Sequence, residues 1–220
     1  MDEFATASHH KAARAWEAGL FDAEVVPYED VRRDESIRPG TTPEVLAGLR
    51  PAFEDPGFGE RFPQIDWSVT AGNSSPVNDG ASAVLVMAAD TARALGLRPL
   101  ARLHSFAVTG SDPLLMLTGV IPATEKALRR GGLDLADIDL FEINEAFASV
   151  VLAWQQETGA DPAKVNVHGG AIALGHPLGA SGTRLTTTLV HALRARGARY
   201  GLQAMCEAGG LANAMIVEAL

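Results

Sequence analysis

Cysteine occurs once, as Cys206, which excludes a disulfide within the chain and a thiolate cluster for zinc. If that residue carries chemistry, it does so as a thiol. Long apolar runs are missing too: the longest, Ala83 to Ala89, falls far short of the roughly 18 residues a membrane span requires. The opening residues, Met1-Asp2-Glu3-Phe4, lack the basic and apolar regions of a secretory leader. The expectation is an intracellular, cytoplasmic protein with no membrane partner. Basic charge is also short. Eighteen Lys and Arg stand against 27 Asp and Glu, a net charge of −9, and neutralising phosphates needs a basic face, so a nucleic-acid partner is not expected. Aromatics make up only 6%, yet 47% of the residues are apolar and 20% charged, which suits a soluble core and excludes disorder, collagen and coiled coil. Repeats and low-complexity tracts are absent.

Its 220 residues amount to about one and a half domains of typical length, enough to bury a core without staples. Charge divides them unevenly. Residues 1–60 carry thirteen acids and six bases, while the remaining 160 carry 14 and 12, which suggests an acidic, solvated first part and a denser second one. Phe4, Ala5, Ala12, Ala15, Trp16 and Leu20 recur at helical spacing, with Gly19 as a stop. Val25 to Tyr28 reads as a short strand. From Arg32 to Val69 prolines and glycines punctuate a loop-rich excursion, with one short helix capped by Thr42 ahead of Pro43.

The texture changes at Thr70. Asn78-Asp79-Gly80 leads into Ala83–Ala89, a continuous apolar run of the kind that forms a buried strand, and Asp90 would cap a helix ending at Gly96. Strands are expected over 100–108, 138–143, 164–168, 200–206 and 211–218, and helices over 121–130, 145–158 and 180–196. Such interleaving implies crossover connections and a layered α/β fold with a mostly parallel sheet.

The densest chemical signal runs from Gly169 to Gly182 through Gly175-His176-Pro177, a glycine-rich turn between strand and helix. Turns of this kind cradle anions at helix N-termini. A phosphate-binding P-loop is rejected because His176-Pro177 occupies the place of Lys-Ser/Thr, and a dinucleotide fingerprint fails for want of Gly-x-Gly-x-x-Gly after a first strand. The competing reading is a tight turn that packs helix on sheet, with His176 merely polar. Its position after a strand's C-terminal end, where α/β sheets place ligands, favours a base. Cys206 also ends a strand and precedes Ala208-Gly209-Gly210, whose amides could stabilise an oxyanion, although a lone cysteine is most often a small core residue. Asn144-Glu145 ends a third strand at the same edge, where Asn144 could equally cap a helix. Three polar groups at successive strand ends of one sheet can converge on one pocket, which suggests thiol and imidazole chemistry on a carbonyl compound. His9, His10, His104 and His191 have no partner at metal spacing, so no metal site is expected; His168, just before Gly169, could line the pocket but is read as structural, and Asp137 and Asp139 as loop and surface groups.

These residues carry a resemblance. Asn144-Glu145-Ala146-Phe147, then Gly175-His176-Pro177 with Gly179-Ala180-Ser181-Gly182, then Cys206 before Gly209-Gly210, follow the order seen in thiolases. Thr70 to Gly80 resembles that family's serine-containing stretch before its Asn-Asp-Gly turn, and Asp2 to Pro27 resembles its loop-domain helix and strand. The likeness covers nearly all of the chain. It implies an α/β, thiolase-like layered fold whose C-terminal half runs βαβαβαββ, with a partial loop domain over 1–72, a remnant strand and helix of the N-terminal domain over 73–98, and the C-terminal domain over 99–220. It implies acyl transfer through an acyl-cysteine: cleavage of 3-ketoacyl-CoA by CoA, or the reverse Claisen condensation, on fatty, steroid-derived or acetoacetyl thioesters. Coenzyme A is then a co-substrate, with no permanently bound cofactor. By the same resemblance, His176 matches the histidine that activates the nucleophile, Cys206 the second cysteine that moves the α-carbon proton, and Asn144 the asparagine holding a water in an oxyanion hole. Ser75 matches a residue of the pantetheine tunnel, and Phe147, Ala208 and Gly209 fall among the substrate- or CoA-binding positions.

Two departures stand out. The nucleophilic cysteine and most of the N-terminal domain are not among these residues, so the isolated chain is expected to be inactive, and its activity to need a partner that supplies that half or another copy in a homo-oligomer. The alternative is a non-catalytic CoA-binding or complementing subunit of a split complex. Second, Ala208 replaces a glycine of the family's other oxyanion hole, which would cost about 1 kcal/mol or more if its backbone needed positive φ. Pro76 after Ser75 is expected to reshape the tunnel mouth.

Overall fold

The computed structural model describes residues 1–220. Twelve helices and strands are ordered as α1 Asp2–Glu17, α2 Pro43–Ala47, α3 Pro56–Arg61, α4 Ala89–Ala94, β1 Ala101–Gly110, α5 Val120–Gly131, β2 Leu140–Ile143, α6 Ala148–Thr158, α7 Ala171–Leu174, α8 Ser181–Arg196, β3 Tyr200–Glu207 and β4 Leu211–Ala219, with short 3-10 turns between them. Beyond residue 100 the elements lie close to where periodicity places them. Glycines take the left-handed conformation that ends helices: Gly132 stops α5, Gly159 stops α6 and Gly197 stops α8.

The four strands form one sheet in the order β1-β4-β3-β2. Here the expectation of a mostly parallel sheet is corrected, because only β2 and β3 pair in parallel, while β4 runs antiparallel to both its neighbours. The cause is the three-residue link Ala208–Gly210. A connection that short can only reverse the chain, and Gly209 and Gly210, at φ 79° and 85°, make the reversal. Strands β1, β2 and β3 share a direction, with β4 inserted between β1 and β3.

Side chains alternate across the sheet. Phe141, Ile143, Leu202, Ala204 and Ile216 meet Val120, Ala123 and Ala127 of α5 and Val151 and Trp154 of α6 on one face. Leu140 and Val217 meet Leu189 and Leu193 of α8 on the other. That approach is close: a Cβ on Gly201 would stand 2.7 Å from Leu189. Helix α8 covers this face over β2, β3 and part of β4, and next to it an open groove of about 440 Å³ is lined by Phe106, Val108, Leu178, Met205 and Met215. No helix is long and apolar enough to cross a membrane.

Three expected strands do not form. Ala83–Ala89 is extended but unpaired, and Val84, Leu85 and Val86 are exposed, because a buried strand needs neighbours on both sides and no strand of this chain lies beside it. Residues 164–168 shrink to single bridges from Val165 to Phe141 and from Val167 to Gly169, since Asn166 turns the chain at φ 45°. Between 25 and 28 only a tight Tyr28–Val31 pair survives. Nor does Asp90 cap α4: it sits inside the first turn and pairs with Arg93. Thr42 does cap α2, accepting from Val45 N, and Asp55 caps α3, a helix not expected from the sequence.

Candidate active site

Strands β2 and β3 are parallel and in register, Ile143 opposite Ala204, so their C-terminal ends lie at one edge. Asn144 follows β2 there, its backbone N–H donating to Ala204 O at 2.9 Å, while Cys206 lies two residues further along β3. The turn bearing His176 is held over that edge from behind. Asn166 clasps the end of β2, accepting from Ile143 N and donating to Ile143 O, both at 2.9 Å. Beside it Glu145 is fully buried and accepts from Ser8 Oγ at 2.7 Å, Asn166 Nδ2 at 2.9 Å and Ile172 N at 3.1 Å. Ser8 Oγ in turn accepts from Gly170 N at 3.0 Å. Only glycine fits this clasp, because a Cβ at Gly170 would meet the Glu145 carboxyl carbon at 2.3 Å. Helix α1 thus buttresses the loop it is 160 residues away from in sequence, by packing Ala5 against Ile172 and Ala148. Burial raises the proton affinity of Glu145, and its three donors oppose that rise.

From the other side the 73–82 segment lies across the same loop. Ala148 N donates to Asn73 O at 2.9 Å, Ser75 N donates to Ala146 O at 3.0 Å, and His176 N donates to Pro76 O at 3.2 Å. Ser75 Oγ also gives its proton to Ala146 O, at 3.2 Å, and Ser74 bridges to Phe147. Gly175, at φ 90°, admits the Asn78 side chain, and Ser82 Oγ donates to Ala180 O at 2.7 Å. The structure therefore brings Ser75, Phe147, Asn144 and His176 together.

Hydrogen bonds assign the imidazole tautomer. Asn144 Nδ2 can only donate, and it faces His176 Nε2 at 3.4 Å. These partners fit the tautomer with the lone pair on Nε2 and the ring proton on Nδ1, in which Nδ1 donates to Ser181 Oγ at 2.6 Å and the serine's own proton goes to Pro177 O at 3.0 Å. Burial, and then the nearby Arg184 guanidinium, hold the His176 pKa below its ordinary value, so near neutral pH the ring is an uncharged base whose unprotonated Nε2 faces Asn144 Nδ2. Asn144 Oδ1 is buried without a donor, an acceptor that a water or a ligand N–H or O–H would satisfy.

Cys206 is buried in the apolar cluster against which Ala146 and Phe147 pack. Burial, reinforced by the Glu207 carboxylate, pushes its thiol up to about 11, so it holds its proton at neutral pH. The hydrogen bonds of His176 go to Asn144 and Ser181, not to this thiol. Ala208 raises no strain: positive φ falls on Gly209 and Gly210, and Ala208 is helical, so the penalty tied to a glycine at this position does not arise. The turn is anchored by Gly210 O, which accepts from Ser111 N at 2.7 Å.

Other expectations resolve simply. His9 Nδ1 accepts from Arg38 N at 3.2 Å, His104 Nε2 bonds Gly131 O at 2.9 Å, and His168 packs edge-on to Phe21. Asp139 ties down Arg199 N and Tyr200 N. Sequence reading missed Ser8, Glu142, Asn166, Ser181 and Arg184 as supports of this loop, and it named Glu145 only as the neighbour of Asn144. Ser181 had a usable signal, lying on the first turn of the helix five residues after His176.

Residues 1–90 match the model of the thiolase N-terminal domain and residues 97–219 that of the thiolase C-terminal domain. An acetyl-CoA acetyltransferase of Escherichia coli is 49% identical over all of this chain and 55% of its own length. A steroid 3-ketoacyl-CoA thiolase of Mycobacterium tuberculosis is 48% identical over all of this chain and 52% of its own. Among solved structures, human mitochondrial 3-ketoacyl-CoA thiolase in complex with CoA superposes with a TM-score of 0.89 at 41% identity, covering the whole chain and 54% of the human one. The chain spans about half the length of the curated relatives it matches.

Proposed function

The chain belongs to the thiolase family, and from that premise we propose that it is the base- and acid-bearing portion of an acyltransferase acting on acyl-CoA and 3-ketoacyl-CoA thioesters. The observation that carries this reading is the neutral His176 imidazole, its Nε2 unprotonated and its Nδ1 hydrogen-bonded to Ser181, set with Asn144 at the sheet edge where β3 carries the proton-holding thiol of Cys206. In thiolysis a nucleophilic cysteine outside these 220 residues gives its proton to His176 Nε2 and its sulfur attacks the 3-keto carbonyl. The C2–C3 bond then breaks with its electron pair on C2, and the Cys206 thiol protonates that carbon. A thiol buried enough to keep its proton suits the acid role and not the nucleophile's, and the single cysteine leaves the nucleophile to be supplied by other residues. Asn144, with Oδ1 buried and open, would hold a water at an oxyanion hole, and the amides of Ala208 and Gly209 would form the second. Ser75 and Phe147 would line the path of the CoA pantetheine.

In this reading 1–72, 73–98 and 99–220 are parts of a loop, an N-terminal and a C-terminal domain, and the protein works in the cytoplasm. A partner bearing the nucleophile, or a homo-oligomer that supplies it, would pair with the extended 83–89 run and fill the groove at Phe106 and Met215. The single cysteine also favours a second reading, a CoA-binding or complementing subunit without turnover of its own.

Mixing separates these. The chain alone should show no ketoacyl-CoA thiolysis, and adding a nucleophile-bearing thiolase N-terminal half should restore it. In the mixture, His176→Ala and Cys206→Ala should each lower kcat by about 10²–10⁴-fold. Stoichiometric acyl transfer from acyl-CoA onto the isolated chain, or mixture activity that survives both substitutions, would overturn the assignment.

A further inference from the structure

Asn144 and His176 reach the same edge by separate routes, one at the end of β2 and the other at the end of a short arm made of α7 and Gly175. The root of that arm rests on the residue following Asn144. Ile172 N donates to Glu145 Oε2 at 3.1 Å, and Gly170 N donates to Ser8 Oγ at 3.0 Å, whose own O–H donates to the same carboxylate oxygen at 2.7 Å. Glu145 Oε1 accepts from Asn166 Nδ2 at 2.9 Å. Helix α7 is a single turn whose leading amides have no acceptor inside it, so these outside acceptors set where the arm starts. Its far end is held by His176 N donating to Pro76 O at 3.2 Å. Solvent cannot take over at the root, because Ser8, Glu145 and Asn166 are each at most 2% exposed. The glycine pair ahead of α7 serves this approach: a Cβ on Gly169, at φ 80°, would stand 2.6 Å from Ser8 O.

We propose that Glu145 and Ser8 are positioning residues for His176: they tie the arm that carries the imidazole to the residue beside Asn144, and so set the separation of Nε2 from the Asn144 side chain. The inference deepens the reading of His176 as a base and rests on it. Consecutive residues move together, so wherever β2 places Asn144 it also places the Glu145 backbone. The carboxylate carries the arm along, and the 3.4 Å spacing from Asn144 Nδ2 to His176 Nε2 is kept by one connected unit. Placement matters on this scale, because a shift of about 1 Å in a catalytic group can cost about 10²-fold in rate. The chemical type of the side chain matters as much as its shape. Every group aimed at the Glu145 oxygens is a donor: Asn166 has its orientation fixed by Oδ1 accepting from Ile143 N, Ile172 offers a backbone amide, and the Ser8 hydroxyl already accepts from Gly170 N. A carboxylate satisfies all three, whereas an amide of the same shape must turn its NH₂ against one of them.

NMR of the folded chain, free of substrate, tests the proposal. Cross-peaks between the Asn144 side-chain amide and the His176 ring protons should be present in the parent chain and lost in Glu145→Gln and in Ser8→Ala, while those between the Phe141 and Trp154 rings persist. In the parent chain the Gly170 and Ile172 amides should be protected from hydrogen exchange, as the leading amides of an untethered turn are not. In the mixture with a nucleophile-bearing half, each variant should lower kcat by about 10–10²-fold and leave KM within about two-fold. A role in folding alone would lower Tm and leave the cross-peaks, and kcat per folded chain, at the parent values. The proposal fails if the variants that fold keep the parent cross-peaks. Should neither fold, it fails if Gly170 and Ile172 exchange as fast as exposed loop amides in the parent chain. Failure here, with His176→Ala still abolishing activity in the mixture, would sink the tie and spare the base; a mixture that His176→Ala leaves fully active would sink the base whatever the cross-peaks show.

Discussion

Residues 20–98 and residues 99–220 are built on opposite terms. Six residues of the first stretch are buried, against 48 of the second, so the two cannot derive their order from the same source. The later stretch surrounds its own sheet with α5, α6 and α8. The earlier one is extended chain laid over a finished surface, held by backbone pairings such as Ser75 N to Ala146 O and by caps at Thr42 and Asp55. Its apolar residues Val26, Val77 and Leu85 stay more than three-quarters exposed. Apolar content alone does not make a core. What decides is whether partner surface lies within reach of the chain, and α1 shows this from the other side, since it precedes the loose region yet packs its alanines tightly against α7.

The sharpest way to break that contrast is to open a cavity in the dense half. Trp154 is fully buried, packs edge-on to Phe141, and donates from Nε1 to Thr124 Oγ1 at 2.9 Å. Trp154→Ala should cost about 3–5 kcal/mol, read as a lowered urea midpoint, and a cost near 1 kcal/mol would mean that this core is not what holds the chain together. A smaller effect comes from pH. Glu142 keeps its proton to about pH 8 in the folded chain and to about 4.5 when exposed, so between those values the folded state binds more protons and stability falls as pH rises. Glu24, raised to about 7 by burial, works in the same direction. Burial lowers His9, His168, His176 and His191, which work the other way, but only below about 6.5. Between pH 6.5 and 8 stability should therefore fall by on the order of 1–2 kcal/mol, and Glu142→Gln should flatten most of that decline. An unchanged slope in the variant would remove Glu142 from the account. Smallest of all, Leu85→Ser should change the chain's own stability by less than about 0.5 kcal/mol, because the leucine is 79% exposed. It should nonetheless weaken complementation by a nucleophile-bearing half; a large loss of stability in the chain alone would mean that the 83–89 run is already partnered.

Much of the dense half was legible in the sequence. Helical periodicity and the stops at Gly132, Gly159 and Gly197 bound α5, α6 and α8, and the strand ends expected at Asn144 and Cys206 do lie at one edge of the sheet. Periodicity failed wherever a neighbour had to be supplied. Ala83–Ala89 reads as a buried strand from its own residues, but burial is a property of what surrounds it. The parallel sheet was misjudged for a related reason: alternation of strands and helices records crossovers, not which strand is inserted between two others.

By itself the sequence determined the local conformations and the chemical inventory: the helical faces, the glycine turn that carries His176, the lone thiol and the placement of glycine at 209 and 210, where the backbone takes positive φ. These depend on residues a few positions apart, whose sterics act at short range. Only the tertiary structure decided that Ser8 would clasp Glu145, that Glu142 would meet Arg184, and that the His176 ring would lie between Asn144 and Ser181. Those contacts join residues as far apart as 137 positions, and which of them form is set by how helices and sheet pack, a cooperative outcome that no single segment encodes.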